Sequence, residues 1–263
     1  MAGEHIHALN GYRARTSPIH RLDARVKLVL ALLFILSTVL TPDGAWHAYI
    51  LLTALMWSAI ILSQVGMGFV QRRTAVVIPF TLAALTVIFT TPGRPLFAVW
   101  KFSVTDHGLE RFISILLKSW LSIQMAVLLT ACTPFPALLQ AMSLLHIPGV
   151  LIAIIGFTYR YVFVIGDEAL RLIRGRAARS GAPNGRGGGS LLWRARVTGG
   201  MAASLFLRSV ERSERVYQAM LARGYDGKVR TLTAPALRPG EWALILPGGL
   251  VLALIQLLAR VRW

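Results

Sequence analysis

Arginines are the residues of this chain best placed to do chemistry, because its other reactive side chains form no recognisable site. Cys132 is the only cysteine, which excludes an internal disulfide and a thiolate metal cluster. His5 and His7 could bind a metal as neighbours, but a terminal segment of this kind is expected to be unstructured. The remaining histidines have no ligand spacing; they are His20, His47, His107 and His146. We therefore expect no catalytic residue and no metal site.

A glycine-rich run at 185–190 invites comparison with phosphate-binding loops. Such a loop places a lysine before a serine or threonine, between a strand and a helix. Here Gly189 precedes Ser190, and no strand pattern surrounds the run. We expect residues 181–190 to form a flexible connector, and we expect this chain to bind no cofactor.

Two similar tripeptides, Ala178-Arg179-Ser180 and Ala222-Arg223-Gly224, each close an arginine-rich segment. Gly181 and Gly224 fit the position just past a helix C-terminus, where a left-handed residue is favoured. One arginine near such an end is explained by the helix dipole alone. Two equivalent arginines, 44 residues apart, favour a shared role. We infer that these helix ends receive mechanical work from another protein.

The segments before these tripeptides have the pattern of amphipathic helices. In each, an acidic residue lies four positions before an arginine, the spacing that joins side chains along one helix face. The two pairs are Asp167 with Arg171 and Glu211 with Arg215. Bulky apolar residues also recur at helical intervals; they include Leu170, Ile173, Phe206, Val210 and Tyr217.

Composition assigns these helices to a membrane protein. Of the 263 residues 55% are hydrophobic, yet the formal charge is +17. A soluble domain of this size does not need so many apolar runs, and a disordered basic chain does not contain them. Thirteen of the 28 Lys and Arg residues fall between 167 and 230, against five Asp and Glu. In a membrane protein this local excess favours retention in the cytoplasm over binding to nucleic acid.

Four apolar stretches in the first half are candidates to span a bilayer core of ~30 Å. They run from about Val26 to Thr41, Ala45 to Ser63, Thr74 to Thr91 and Leu109 to Ala131. Pro79 is expected to kink the third, and residues 92–108 are expected to form a loop. Basic residues alternate between the connecting loops in a way that predicts a cytoplasmic amino terminus. A stretch from Trp242 to Leu258 is expected to be the last span.

The stretch Val150 to Ile165 is apolar enough for a further span, but Arg160 lies in its middle. If it crossed, the arginine-rich segment that follows would lie outside the cell. We therefore predict one long helix, from about 149 to 180, at or below the membrane surface. Arg160 would then contact lipid phosphates or pair with Asp167 or Glu168.

The predicted architecture is an all-α integral membrane protein with about five transmembrane helices. Residues 1–132 comprise an N-terminal arm and four spans, and residues 241–263 form the last span. Between them, residues 133–240 form a cytosolic or interfacial coupling module. Its three helices are expected at about 135–146, 149–180 and 190–223.

Four blocks of this sequence resemble the transmembrane (T) component of energy-coupling factor (ECF) transporters, of the cobalt-type CbiQ family. They are Thr133-Pro134-Phe135-Pro136, Tyr159-Arg160-Tyr161 with Asp167-Glu168, Ala178-Arg179-Ser180, and Glu214-Arg215-Val216-Tyr217-Gln-Ala-Met-Leu-Ala222-Arg223-Gly224-Tyr225. The resemblance covers nearly the whole chain from about residue 18. It implies a non-catalytic subunit of an ATP-hydrolysing importer in the bacterial inner membrane.

The resemblance also implies partners. In that family two coupling helices insert their ends into grooves on a pair of cytosolic ATP-binding-cassette ATPases, which use ATP and Mg²⁺. A separate membrane protein, the S component, captures the substrate; here it would be CbiM-like, with a possible small accessory subunit. The implied ATPase contacts are Ala178, Arg179, Ser180, Ala222, Arg223 and Gly224. Arg160, Ile173 and Tyr217 would contact the S component or hold the module together.

Cobalt is the substrate that the resemblance implies, with nickel and then a vitamin as alternatives, because selectivity belongs to the S component. Two other classes of protein stay open. A membrane-embedded enzyme would need a polar catalytic cluster, which Cys132, His146 and Arg160 do not form. A self-contained channel or carrier would need polar residues lining several spans, which the first four stretches lack.

Overall fold

The computed structural model describes residues 12–92, 95–99, 102–179, 190–227 and 243–261. These residues form two compact units. The helix-bundle unit contains the described residues of 12–141 and 243–261, and the helix-pair unit contains those of 142–227.

Eleven helices and one hairpin make up the described residues. The helices are α1 (Pro18–Arg21), α2 (Ala24–Leu40), α3 (Trp46–Ser63), α4 (Met67–Thr74), α5 (Ile78–Ala84), α6 (Thr86–Thr90), α7 (Asp106–Cys132), α8 (Phe135–Leu144), α9 (Gly149–Arg179), α10 (Leu191–Ala222) and α11 (Ile245–Arg260). A 3₁₀ turn, Ala75–Val77, joins α4 to α5, and strands β1 (Pro95–Val99) and β2 (Phe102–Thr105) precede α7.

Four helices of the bundle, α2, α3, α7 and α11, surround its hydrophobic core. The largest core side chains are fully or almost fully buried; they include Phe34, Leu52, Met56, Leu121 and Leu128. The opposite faces of these helices expose large apolar side chains, as a lipid-facing surface does, among them Leu36, Ile50, Ile61 and Leu257. The chain is thus a helical membrane protein, as its composition predicts.

Local residues fix the start of the longest bundle helix. Thr105 caps α7, because its hydroxyl accepts a hydrogen bond from the amide of Gly108 at 3.1 Å. A Cβ at Gly108 would lie only 2.6 Å from the Ile88 carbonyl oxygen and from the Thr105 hydroxyl. Only glycine therefore lets α7 begin this close to α6.

Four helices of the described residues are long and apolar enough to cross a membrane: Trp46–Ser63, Met67–Thr90, Asp106–Cys132 and Gly149–Arg179. The first and third match predicted spans, whereas the second begins at Met67, before the predicted start at Thr74, and includes Arg72 and Arg73, which were expected in a loop. With 17 and 16 residues, α2 and α11 are shorter than a typical span of about 20, so their crossing stays a prediction. Length and composition also allow α9 to cross, and its predicted position at the membrane surface stays a prediction.

The third predicted span is interrupted where Pro79 was expected to kink it. The 3₁₀ turn Ala75–Val77 comes just before this proline, and a new helix, α5, begins at Ile78 with proline in its first turn. Proline has no amide hydrogen to donate, so it fits at a helix start and breaks a continuous ladder.

The prediction of a loop across residues 92–108 was wrong. Strands β1 and β2 pair antiparallel, with Val99 opposite Phe102 and an irregularity between Pro95 and Phe97. The segment alternates aromatic and β-branched residues with small or polar ones, which favours strands. The prolines and glycine at 92–95 suggested an irregular loop, but Pro95 is the first residue of β1.

One polar contact joins the last helix to the first long one inside the bundle. The Nε2 atom of Gln256 on α11 lies 2.6 Å from the Ser37 carbonyl oxygen, 2.8 Å from the Ser37 hydroxyl and 3.0 Å from the Thr41 hydroxyl. Ser37 on α2 and Thr41, which caps its C-terminal end, are both buried. Because apolar packing gives helices in lipid little preference for one register, such a contact fixes how α11 docks.

Replacing Gln256 by leucine is therefore expected to destabilise the bundle by about 1 kcal/mol, the order measured for hydrogen bonds between membrane helices. The measurement is the thermal unfolding midpoint of the purified chain in detergent. Q218L is the matched control, because Gln218 is exposed on α10. Equal shifts in the two variants would contradict a specific role for Gln256.

Candidate functional site

The two predicted coupling helices are α9, with 31 residues, and α10, with 32. Helix α9 runs without interruption from Gly149 to Arg179, which confirms the predicted continuity through Arg160. Helix α10 begins after Ser190, whose hydroxyl accepts a hydrogen bond from the amide of Trp193 at 3.3 Å. Both helices therefore extend over nearly the predicted residues.

Helices α9 and α10 run in opposite directions and are joined by ion pairs. The carboxylate of Glu168 on α9 accepts hydrogen bonds from Arg208 at 3.2 Å and from Arg212 at 3.5 Å. Further along α9, Arg176 donates to the Thr198 hydroxyl at 3.2 Å. From Glu168 to Arg176 the residue numbers rise along α9, whereas those of their partners on α10 fall to Thr198. The two helices are therefore antiparallel. We call Glu168, Arg208 and Arg212 the arginine clamp.

The antiparallel arrangement places Arg179 and Arg223 at opposite ends of the helix pair. Each is exposed at the C-terminal end of its helix. Arg179 lies eleven residues beyond Glu168, and Arg223 lies eleven residues beyond Arg212, which is about 16 Å of helix in each case. The clamp thus lies about midway between two exposed arginines at opposite ends of the pair.

The end of α10 has the geometry that its glycine predicts. Gly224 has a φ of +78°, its amide donates to the Leu221 carbonyl at 2.9 Å, and the Tyr225 amide donates to the Met220 carbonyl at 3.1 Å. This is the Schellman arrangement, which satisfies the last carbonyls of a helix and requires a left-handed residue. It fixes the backbone of Arg223 as the last capping residue.

Replacing Gly224 by alanine is expected to destabilise this end by about 1 kcal/mol, because a Cβ is strained at positive φ. G199A is the matched control: Gly199 lies inside α10, and an added Cβ meets nothing within 4 Å, so that change should stabilise the helix by about 0.5–1 kcal/mol. Amide exchange of residues 220–225 measures the effect. Equal exchange rates in the two variants would contradict the assignment.

A cavity of about 730 Å³ lies between the first half of α9 and the second half of α10. Its lining is mostly apolar and includes Phe157, Tyr161, Ile165, Val216, Tyr217 and Met220. Tyr217 is half exposed there. Ile173 is also exposed, but it lies outside this cavity. The apolar cavity therefore lies on the side of the clamp that contains Tyr217.

The structure contains one of the predicted pairings. Arg160 is exposed, and among the described ion pairs none joins it to Asp167 or Glu168; Glu168 pairs with the clamp arginines instead. The predicted pair of Glu211 with Arg215 forms at 4.0 Å. The equivalent pair of Asp167 with Arg171 is not among the ion pairs of the described residues. Ser180, Gly181 and the predicted connector up to residue 189 lie outside the described residues.

Within the residues described, no group of three or more His, Cys, Asp or Glu side chains could hold a metal ion. Cys132 is a free, buried thiol at the end of α7, and its carbonyl accepts a hydrogen bond from Lys27 at 3.3 Å. His5 and His7 lie outside the described residues.

The arginine clamp was missed at the sequence level. Its signal was present, because Arg208 and Arg212 are four residues apart and so share one face of α10. Two arginines on one face repel each other unless a carboxylate lies opposite. The nearest acid in sequence, Glu211, points to Arg215 instead, so the missing carboxylate had to come from another helix.

Comparison with known proteins relates this chain to membrane transport. Residues 15–233 match the family model CbiQ, described as cobalt transport protein. An energy-coupling factor transporter transmembrane protein EcfT from Lactobacillus helveticus is 26% identical over 87% of this chain and 84% of its own length. The EcfT of Streptococcus equi is 29% identical over 83% of each chain. A putative fused cobalt transport protein CbiMQ from Methanocorpusculum labreanum is 25% identical over 81% of this chain and 36% of its own length.

Proposed function

The chain belongs to the CbiQ family of cobalt transport proteins, and from this premise we propose that it is the coupling subunit of an ATP-driven ECF importer. Membership makes it a transmembrane component of an ECF transporter. In the proposed role it transmits the motion of two cytosolic ATPase subunits to a substrate-binding S component. It catalyses no reaction itself, and ATP and Mg²⁺ are used by the ATPase pair.

The observation that carries this proposal is the pair of exposed arginines at opposite ends of α9 and α10. Two ATPase subunits of the same type offer two similar sites that are separated in space, and the helix pair offers two similar ends, up to about 33 Å apart along its axis. Arginine suits such a contact, because its planar guanidinium can donate two parallel hydrogen bonds to one acceptor. The proposed contacts are Ala178, Arg179, Ser180, Ala222, Arg223 and Gly224.

The apolar cavity beside the clamp supports the second half of the proposal. A membrane-embedded partner such as the S component would dock on an apolar surface, and Tyr217 lines this one. Ile173 and Arg160 are exposed on other parts of α9 and are proposed as further contacts. The name of the fused CbiMQ relative supports a CbiM-like protein as that partner, with a small accessory subunit as a further candidate.

Cobalt is the proposed substrate, on the strength of the family description and the CbiMQ name. Nickel and a vitamin are the alternatives, since EcfT relatives carry no substrate in their names. The proposed orientation has the amino terminus and the helix-pair unit in the cytoplasm of a bacterial cell. The 13 Lys and Arg residues at 167–230 support that orientation.

Reconstitution into liposomes tests the proposed function. The full chain, the ATPase pair and the S component together are expected to take up ⁵⁷Co²⁺ only when ATP is supplied, and to take up radioactive nickel more slowly. The chain alone is the control and is expected to be inactive. Uptake by the chain alone would favour a self-contained carrier and contradict the proposal, and faster nickel uptake would correct the substrate.

A further inference from the structure

The aromatic ring of Phe69 on α4 is in contact with guanidinium groups from two different parts of the chain. The Cζ atom of Arg13 lies 3.9 Å from the centroid of its ring, and that of Arg73 lies 4.8 Å from the same centroid. Arg73 follows Phe69 by one helical turn, whereas Arg13 belongs to the segment before α1. Because the ring is half-buried, it holds two cations in defined positions.

Hydrogen bonds to two helix ends also fix Arg13. Its amide donates to the Ala131 carbonyl at 2.9 Å, near the end of α7. Its Nη1 atom donates to the Val65 carbonyl at 3.3 Å, just after α3, and its own carbonyl lies 2.9 Å from Nε2 of His20. The position of this guanidinium is therefore built into the fold of the helix-bundle unit.

The two cations lie in a strongly basic part of the unit. Residues 12–27 and 67–74 contain seven Lys and Arg and a single aspartate, which pairs with the arginine two positions after it. None of the ion pairs among the described residues involves Arg13 or Arg73. Two guanidinium groups held on one ring repel each other, so an anion that contacts both would relieve the repulsion.

The location of the ring indicates which anion. Helix α4 begins the candidate span Met67–Thr90, so Phe69 and Arg73 lie at the end of a membrane-crossing segment. Large apolar side chains on either side of it are exposed, as acyl chains require; they are Ile61, Leu62, Val76 and Ile78. At the depth where a span leaves the hydrocarbon, the abundant anion is the phosphate of a phospholipid.

We propose that Arg13 and Arg73, held on the ring of Phe69, bind the phosphate of an anionic phospholipid. Each guanidinium donates hydrogen bonds to phosphate oxygens, and the ring keeps both groups in place. This binding site is additional to the proposed coupling role and does not depend on it. It also does not depend on orientation, since a nanodisc offers the lipid in both leaflets.

The test compares the full chain in nanodiscs of phosphatidylcholine with and without phosphatidylglycerol. Phosphatidylglycerol is expected to raise the unfolding midpoint of the wild type and of R15Q/R72Q, a control pair of exposed arginines with the same change in charge. R13Q/R73Q is expected to lose that rise. In native mass spectrometry it should bind phosphatidylglycerol about tenfold more weakly than the control pair.

Two outcomes would overturn the proposal. Equal losses in both double variants would show a general attraction to the basic surface. Stabilisation by inorganic phosphate in phosphatidylcholine nanodiscs, equal to that by phosphatidylglycerol, would show a site for free phosphate. Should R13Q/R73Q fail to fold, F69L keeps both charges but removes the ring, and we expect it to bind the lipid several-fold more weakly; unchanged binding would also refute the site.

Discussion

The double variant R179E/R223E is expected to lose both its ATPase partners and metal uptake. Each guanidinium is exposed at a helix end, and glutamate removes its donors and reverses its charge. Truncating one member of a charge pair at an interface costs about 2–5 kcal/mol, so losing two contacts should weaken binding on the order of 100-fold or more. Co-purification of the ATPase subunits with a tagged chain measures this directly, and uptake should fall to background.

The matched control is R174E/R215E, which changes the net charge of the same two helices by the same amount. Arg174 and Arg215 are exposed, and Arg215 gives up only an exposed pair at 4.0 Å with Glu211, which is worth about 0–1 kcal/mol. We expect this variant to assemble and transport normally. R179K/R223K should be intermediate, because lysine keeps the charge and loses the fork. Normal metal uptake by R179E/R223E would contradict the coupling role. Equal losses of uptake in R179E/R223E and R174E/R215E would contradict it as well.

The ends of α10 could be predicted because their causes are local. Ser190 supplies its own capping oxygen to an amide three residues on, and Gly224 supplies the left-handed turn at the other end. Neither feature depends on what packs against the helix. A local cause also explains why α9 is uninterrupted, because the sequence contains no proline between Pro148 and Arg179; the helix itself was predicted from the charge of the segment that follows it.

Contacts between helices could not be predicted in the same way. Glu168 pairs with residues 40 and 44 positions away, and a pattern within one helix shows only neighbours three or four residues apart. Asp167 with Arg171 and Glu211 with Arg215 have the same spacing, and all four residues are exposed, yet only the second pair is among the described ion pairs. Exposed pairs of this kind contribute little to stability. Spacing along a helix thus shows what can pair within that helix, and it gives no sign of a partner on another helix.

The hairpin before α7 shows the same limit on a shorter scale. Its strands have five and four residues, too few for alternation to stand out against the neighbouring prolines and glycine. Pairing between the strands, and the capping of α7 by Thr105 at the end of β2, stabilise the segment as a unit. Neither contact can be recognised from the four or five residues of one strand alone.

The arginine clamp joins α9 to α10 at one point along their length. Equal lengths of helix, about 16 Å, separate it from the two exposed arginines. In the proposed coupling role, we expect a displacement of either end to pass through the ion pairs of Glu168 to the other helix. Side-chain exposure is only 19% at Glu168, against 58% and 41% at its partners, so the carboxylate is the better shielded member.

The variant E168R reverses the charge at the centre of the arginine clamp. We expect it to lose most ATP-driven transport while the complex with the ATPase subunits stays assembled. Arginine at 168 would face Arg208 and Arg212, and three like charges would separate the helices there. The ends Arg179 and Arg223 are unchanged, so the ATPase subunits should still co-purify. We expect ATP-driven metal uptake to fall about tenfold, which is within the range of a coupling free energy of 1–3 kcal/mol.

Two further variants separate this effect from a general change in charge. D167R makes the same change one residue earlier, at an exposed aspartate outside the ion pairs of the described residues, and it should transport normally. E168R/R212E restores an ion pair with its polarity reversed, and it should recover most of the uptake that E168R loses. If D167R loses as much as E168R, or if R212E restores nothing, the helices are not coupled through Glu168, and motion must pass between them by apolar packing alone.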